Sequence, residues 1–247
     1  MRLSRATALR LAVLAVLLAF LLFPQRFAPL FAPLTQYGAP PIYDQGNLLT
    51  LALAQLGTVC CAAAASTLVA VALGILVTRP GGAEFLPLSR TLVNIGQTFP
   101  PVAVLAVAVP LVGFGEKPTL IALFAYGLLP IFENTVAGLR TCPPAVLEAA
   151  SGMGMSAGER LRQVELPIAM PLILEGIRLS LVINVGTATI GSTVAAKGLG
   201  EVIIAGLLSS NNAFILQGGL VTGLMAVLLY DALAALERRL SPPTPLD

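Results

Sequence analysis

Residues 148–167 read "EAASGMGMSAGERLRQVELP". Five charged side chains, Glu148, Glu159, Arg160, Arg162 and Glu165, fall within twenty residues. Long apolar runs lie on either side. Locally the stretch reads as two short helices and a turn. Thr141 offers an N-cap, and Pro143 and Pro144 suit a first helical turn. Val146, Leu147, Ala149 and Ala150 give a short apolar helix. Gly152 and Gly154 break it, because glycine enters backbone regions that other residues resist. Ser156 and Glu159 fit the S-x-x-E capping box of a second helix. That helix is expected to run through "RLRQVE" and stop at Leu166-Pro167.

The rest of the chain explains why such a cluster stands out. Of 247 residues, 57% are hydrophobic and 11% are charged. An average soluble domain is about 25% charged. A soluble chain of this length needs a polar surface that this one cannot supply. Several apolar runs approach or exceed the roughly 20 residues that cross a bilayer. The solvent is therefore membrane lipid.

Six segments are expected from hydropathy and helix breakers, near 9–23, 48–78, 90–112, 118–135, 167–190 and 218–236. The third carries Pro100-Pro101 and Pro110, and the fourth carries Pro130. Proline frees a backbone carbonyl, which neighbouring helices or water must satisfy. No small-x-small cleavage site stands out in "FPQRFAPLFAPL", so the first segment is read as an uncleaved helix. The organisation expected is a helix and Pro-rich outer loop over 1–47, a membrane core over 48–237 with a loop at 141–167, and a disordered tail over 238–247.

Lys and Arg orient the segments. With the N-terminus inside, ten fall inside (Arg2, Arg5, Arg10, Arg79, Arg90, Arg140, Arg160, Arg162, Arg238, Arg239) and three outside (Arg26, Lys117, Lys197). Arg178 lies within the fifth segment. Both ends, and the loop at 141–167, are thus expected on the cytoplasmic side.

Several function classes drop out. Net charge is +2 with no basic patch, which argues against nucleic acid. There is no His, so neither a His-based triad nor an imidazole metal site is available. No carboxylate pair inside a segment is spaced like an aspartyl protease dyad. Catalytic residues and metal ligands are therefore both expected to be absent. Cys60, Cys61 and Cys142 read as small apolar side chains.

On local physics alone the loop could be an amphipathic connector resting on lipid. Its spacing says more. The chain has Glu148-Ala149-Ala150, three residues, Gly154, nine residues, Val164, one residue, then Leu166-Pro167. This resembles the EAA loop, EAA-x3-G-x9-I-x-LP, of the membrane subunits of type I ABC importers; only Val164 for Ile departs. The stretches "QTFPPVAVLAVAVPLVGFG" (97–115), "IALFAYGLLPIFENTVAGL" (121–139), "VELPIAMPLILEGIRLS" (164–180), "NVGTATIG" (184–191) and "GLGEVI" (198–203) look like the osmoprotectant branch. That branch carries glycine betaine, choline, carnitine and similar quaternary ammonium solutes. Methionine and amino-acid permeases share the EAA loop, so they are the alternative.

The resemblance implies an all-α membrane protein of about six transmembrane helices with the type I ABC importer (MetI-like) permease fold. It implies a bacterial inner-membrane location. The implied partners are an ABC ATPase subunit, an extracytoplasmic substrate-binding protein, and a second permease copy or a related chain. ATP and Mg would sit on the ATPase, and this chain would bind no cofactor. Glu148, Ala149, Ala150, Gly154, Val164, Leu166 and Pro167 would form the ATPase-coupling loop.

Asn94, Gln97, Asn184, Thr187 and Thr189 are polar residues inside spans and are candidates to line the path. Helix–helix contact is the alternative for them. Glu133, Glu175 and Arg178 read equally as ion pairs, interfacial groups or substrate contacts. A quaternary ammonium is usually held in an aromatic cage. With no Trp and four Tyr, that cage is expected on the separate binding protein. A secondary transporter would need intramembrane charges for ion coupling, and the loop spacing argues against it.

Overall fold

Apolar runs of this length can satisfy their backbone in lipid only by forming helices or a closed barrel. In the computed structural model, which describes residues 5–36 and 38–240, they form helices, with no strand among those residues. In chain order these are α1 (Arg5–Leu22), α2 (Ala28–Phe31), α3 (Leu48–Thr78), α4 (Leu86–Thr98), α5 (Pro101–Val112), α6 (Glu116–Arg140), α7 (Pro144–Gly152), α8 (Ala157–Arg160), α9 (Leu166–Ala188), α10 (Gly200–Leu208) and α11 (Asn212–Leu240). Four helical stretches are long and apolar enough to cross a membrane: Leu48–Thr78, Glu116–Arg140, Ala157–Val194 and Asn212–Glu237. Two bent pairs raise the number to six.

Both bends sit at prolines. The chain breaks at Pro100-Pro101 between α4 and α5. Phe99 there is extended at ψ 137°, the shape a residue before proline prefers. It turns by 108° after α1, where Phe23 precedes Pro24. Pro130 stays inside α6. Its missing N–H frees the carbonyl four residues back, and Gln97 Nε2 donates to that Tyr126 oxygen at 3.0 Å.

The chain divides into two compact units. One contains α1, the chain through Cys61, Pro101–Leu123 and Asn184–Leu229. Its core gathers Leu17, Phe20, Phe31, Tyr43, Leu199, Val202, Phe214 and Val221. The outer segment expected as a Pro-rich loop is instead largely helical turns over Pro24–Leu34, followed by a pinned strap. The carbonyls of Pro40 and Pro41 accept from Asn211 Nδ2 at 2.9 Å and Gln217 Nε2 at 2.8 Å. The Tyr43 N–H donates to Gln217 Oε1 at 3.1 Å. Gln55, 1% exposed, donates to the Val185 carbonyl at 2.9 Å and accepts from the Leu199 N–H at 2.8 Å.

The other unit contains Ala62–Pro100, Phe124–Ile183 and the chain from Tyr230. Ala70, Val77, Val93, Ile131, Phe132 and Val136 form one cluster, and Leu139, Ala169 and Ile173 another. Small residues let its helices touch backbone to backbone, as packing in lipid favours. A Cβ built on Gly176 would lie 2.7 Å from the Pro130 carbonyl oxygen. α11 runs to Leu240, and the tail expected over 238–247 lies outside the described residues from 241 onward.

Candidate functional site

The loop between α6 and α9 is built from two interlocking caps. Thr141 does not open the first helix. Its hydroxyl donates to the Ala137 carbonyl at 2.9 Å and so closes α6. Pro143 takes the cap position of α7 in extended conformation, with no side-chain cap bond. α7 then ends in a Schellman motif. The Met155 N–H donates to the Ala150 carbonyl at 3.2 Å and the Gly154 N–H to the Ser151 carbonyl at 3.0 Å. Gly154, at φ +82°, is the left-handed residue that this geometry demands.

Ser156 opens α8 two residues later. Its hydroxyl accepts from the Glu159 N–H at 3.3 Å, and its own N–H donates to Glu159 Oε2 at 2.8 Å. The capping box expected from the sequence is therefore formed.

The helix does not stop at Leu166-Pro167 as expected. It continues from Ala157 to Val194 through a π-helical turn at Leu161–Glu165. An α-helical carbonyl four residues ahead of Pro167 would clash with the proline ring. The wider turn lies directly before that ring, so the helix passes through. Such π turns occur frequently at functional sites.

The caps sort the motif residues by environment. Glu148, Ala149, Gly154 and Pro167 are exposed, Val164 and Leu166 are half-buried, and Ala150 is buried. Around Glu148 the exposed surface of α7 is small and apolar: Pro143, Pro144, Ala145, Val146 and Ala149, with Met153 at 72% exposure beyond. A helix that shows apolar side chains on its outer face while tucking Ala150 inward has a face left for a partner.

Beside α7 sits a charge cluster that no local sequence pattern reveals. Glu165 is buried at 4% exposure. Arg79, next after α3, donates to it through Nη1 at 3.1 Å and Nη2 at 2.5 Å. Arg160 donates through Nε at 3.3 Å. Arg160 Nη1 also reaches Ser151 Oγ on α7 at 2.9 Å. The sequence showed these charges but not that an Arg 86 residues away closes on the same carboxylate. Nearby Cys142 is buried; burial, and then the negative charge of Glu165, push its thiol above the usual range.

The other candidates fall out as follows. Glu133 is bidentate with Arg90 at 2.8 Å for both contacts. Arg178 donates to Glu237 at 2.9 Å, lies 3.7 Å from Glu175, and stacks 4.6 Å from the Tyr230 ring centroid. All three charges left open by the sequence are thus in ion pairs. Asn94 is exposed on α4, and Gln97 serves the Tyr126 carbonyl. Buried Asn184 donates to the Leu123 carbonyl at 3.1 Å, while its Oδ1 has no partner among the described residues. Thr187 is half-buried, and the Thr189 hydroxyl donates within its own turn to Gly186. Asn94 and Gln97 belong to one unit, and Asn184, Thr187 and Thr189 to the other.

Solved proteins share this fold. An inward-facing methionine ABC transporter, MetNI, aligns with TM-score 0.70 at 22% identity, over 79% of this chain and 97% of that one. An amino acid ABC transporter aligns with TM-score 0.65 at 16% identity, over 78% and 93%. Relatives in sequence are nearer. The osmoprotectant import permease protein OsmY of Salmonella typhimurium is 44% identical over 177 residues, 72% of this chain and 75% of that protein. The choline transport system permease protein OpuBB of Bacillus subtilis is 39% identical over 182 residues, 71% of this chain and 84% of that protein. The glycine betaine/carnitine/choline permease OpuCB of Bacillus subtilis is 37% identical over 71% of this chain and 84% of its own. Residues 70–242, which include the doubly capped loop and the helices on both sides of it, match one transport family, and the chain belongs to it: the binding-protein-dependent transport system inner membrane components.

Proposed function

We propose that this chain is the membrane-spanning subunit of an ATP-driven importer that passes a quaternary ammonium osmoprotectant of the glycine betaine, choline or carnitine type. The observation that carries the reading is the exposed, apolar α7, closed by its Schellman motif and followed by the capped α8, on a chain that is 37–44% identical to permeases of osmoprotectant importers. The likeness to methionine and amino-acid transporters is one of fold.

In this reading Glu148, Ala149, Ala150, Gly154, Val164, Leu166 and Pro167 form the coupling loop. Ala149 lets an ATPase subunit approach closely, Glu148 pairs with a cation on it, and buried Ala150 seats α7 against its own unit. Closure of the ATPase pair around ATP moves α7, and the unbroken helix from Ala157 carries that movement into the span. Elements with two packed arrangements transmit such shifts. The loop and both termini face the cytoplasm, as the ten-to-three Lys and Arg bias supports. A separate binding protein delivers the solute outside, and a second copy or related chain completes the path. ATP and Mg bind the ATPase subunit, and this chain holds no cofactor. Asn94, Gln97, Asn184, Thr187 and Thr189 are the candidate path residues, of which Asn94 is exposed.

The experiment is uptake of labelled glycine betaine into proteoliposomes holding this permease, its ATPase and its binding protein. Accumulation that requires both ATP and the binding protein is expected. Accumulation of methionine instead, or glycine betaine uptake without ATP, overturns the reading.

A further inference from the structure

We infer that Arg79, Arg160 and Glu165 form a positioning strut that ties α7 to the end of α3, so that movement of the coupling helix reaches a second span besides α9. This rests on the coupling role proposed for α7.

The contacts form an unbroken chain within one unit. Ser151 sits on α7 at the first position after the Glu-Ala-Ala triplet. Its hydroxyl donates to the Leu147 carbonyl at 2.8 Å, so it is fixed to its own helix. Arg160 donates to that hydroxyl through Nη1 at 2.9 Å and to Glu165 through Nε at 3.3 Å. Arg79 holds both oxygens of the same carboxylate, at 3.1 and 2.5 Å. Arg79 Nε donates to the Ile75 carbonyl at 3.4 Å, in the last turn of α3. From α7 to α3 every link is a hydrogen bond, and three of them end on a single buried carboxylate.

The chemistry suits transmission of position. A bidentate guanidinium–carboxylate pair fixes orientation as well as distance. Glu165 is 4% exposed, so water does not substitute for a lost guanidinium, and breaking a buried pair leaves an uncompensated charge. The π turn at Leu161–Glu165 ends on this residue, one position before α9 begins at Leu166. Glu165 is therefore the point where α7, α3 and α9 meet through side chains. None of these four residues is specified by the loop motif. The exposed face of α7 would meet the ATPase, and the strut joins α7 at Ser151, one turn beyond Glu148.

The test uses the whole importer in proteoliposomes, with glycine betaine as solute. Arg79→Met and Arg160→Met keep apolar bulk and remove the charge. In both variants the ATPase subunit should still co-purify, because the outer face of α7 is untouched. The solute moved per ATP hydrolysed should fall about tenfold, and stimulation of hydrolysis by the binding protein should fall with it. Arg79→Lys, which keeps the charge but not the fork, should recover part of the loss. Unchanged solute per ATP in both variants overturns the strut. Loss of ATPase co-purification in both also overturns it, since the cluster would then serve only to hold the loop together. A wild-type complex that fails to bind the ATPase overturns the coupling reading itself, so the two failures are read from different samples.

Discussion

Replacing Gly154 separates backbone shape from bulk at the centre of the coupling loop. A Cβ built on Gly154 meets nothing within 4 Å, so an added side chain has room. What it lacks is a comfortable backbone: φ is +82°, and left-handed geometry costs a residue other than glycine about 1–2 kcal/mol. Leaving that geometry breaks the two Schellman bonds, from Gly154 to Ser151 and from Met155 to Ala150, each worth about 1 kcal/mol. Either route costs about 1–2 kcal/mol, enough to change the fraction of loops in the docking conformation roughly 5–30-fold. A β-branched residue is the worst choice and Asn the best tolerated. We therefore expect Gly154→Val to lower ATP-driven uptake in proteoliposomes by that factor, and Gly154→Asn to stay within about twofold of wild type. Uptake is normalised to the amount of assembled complex. An Asn variant as impaired as the Val variant would refute the reasoning, because the defect would then follow size. So would a Val variant that transports normally.

Two further outcomes follow from buried polar groups. Gln55→Leu strips the Leu199 N–H of its acceptor at a 1% exposed site. It should destabilise the solubilised protein by about 1–3 kcal/mol, seen as a lowered thermal midpoint. An unshifted midpoint in the Leu variant contradicts this. Cys142 is 5% exposed and its thiol is held protonated by burial and by Glu165, whereas Met153 is 72% exposed. In a variant without Cys60 and Cys61, maleimide at neutral pH should leave Cys142 unmodified until the protein is denatured. The same reagent should label a Met153→Cys variant at once, and only from the cytoplasmic side. Equal labelling rates at the two positions, or labelling of position 153 from outside, would be contrary results.

Much of the molecule was readable from patterns that depend on neighbours along the chain. The segment at 48–78 coincides with α3 because thirty-one residues without a charge or proline leave a helix no reason to stop. The capping box at Ser156 and Glu159 and the bend at Pro100-Pro101 likewise rest on adjacent residues. What escaped depends on distant ones. Thr141 could cap either helix from its sequence, and the Ala137 carbonyl decides the matter. A proline normally breaks the i−4 ladder, so the local sequence ends the helix at Pro167, and the π turn carries it through. α10, nine residues long, is too short to register as a span. Glu165 looked like one more loop charge; its partner Arg79 follows a different span, and no local pattern joins them.

The central claim is that α7 docks on an ATPase subunit through its outer face. Ala149 is exposed on that face and Ala150, its neighbour, is buried. The direct measurement is site-directed cross-linking in membranes that contain the whole importer, with Cys60 and Cys61 removed and a cysteine placed at Ala149 or, as control, at exposed Leu111 on α5. The account predicts that a maleimide-benzophenone carried by the Ala149→Cys permease joins it to its ATPase on illumination, that ATP changes the yield, and that Leu111→Cys gives no such product. An ATPase that co-purifies with the permease yet never cross-links to position 149 would contradict it.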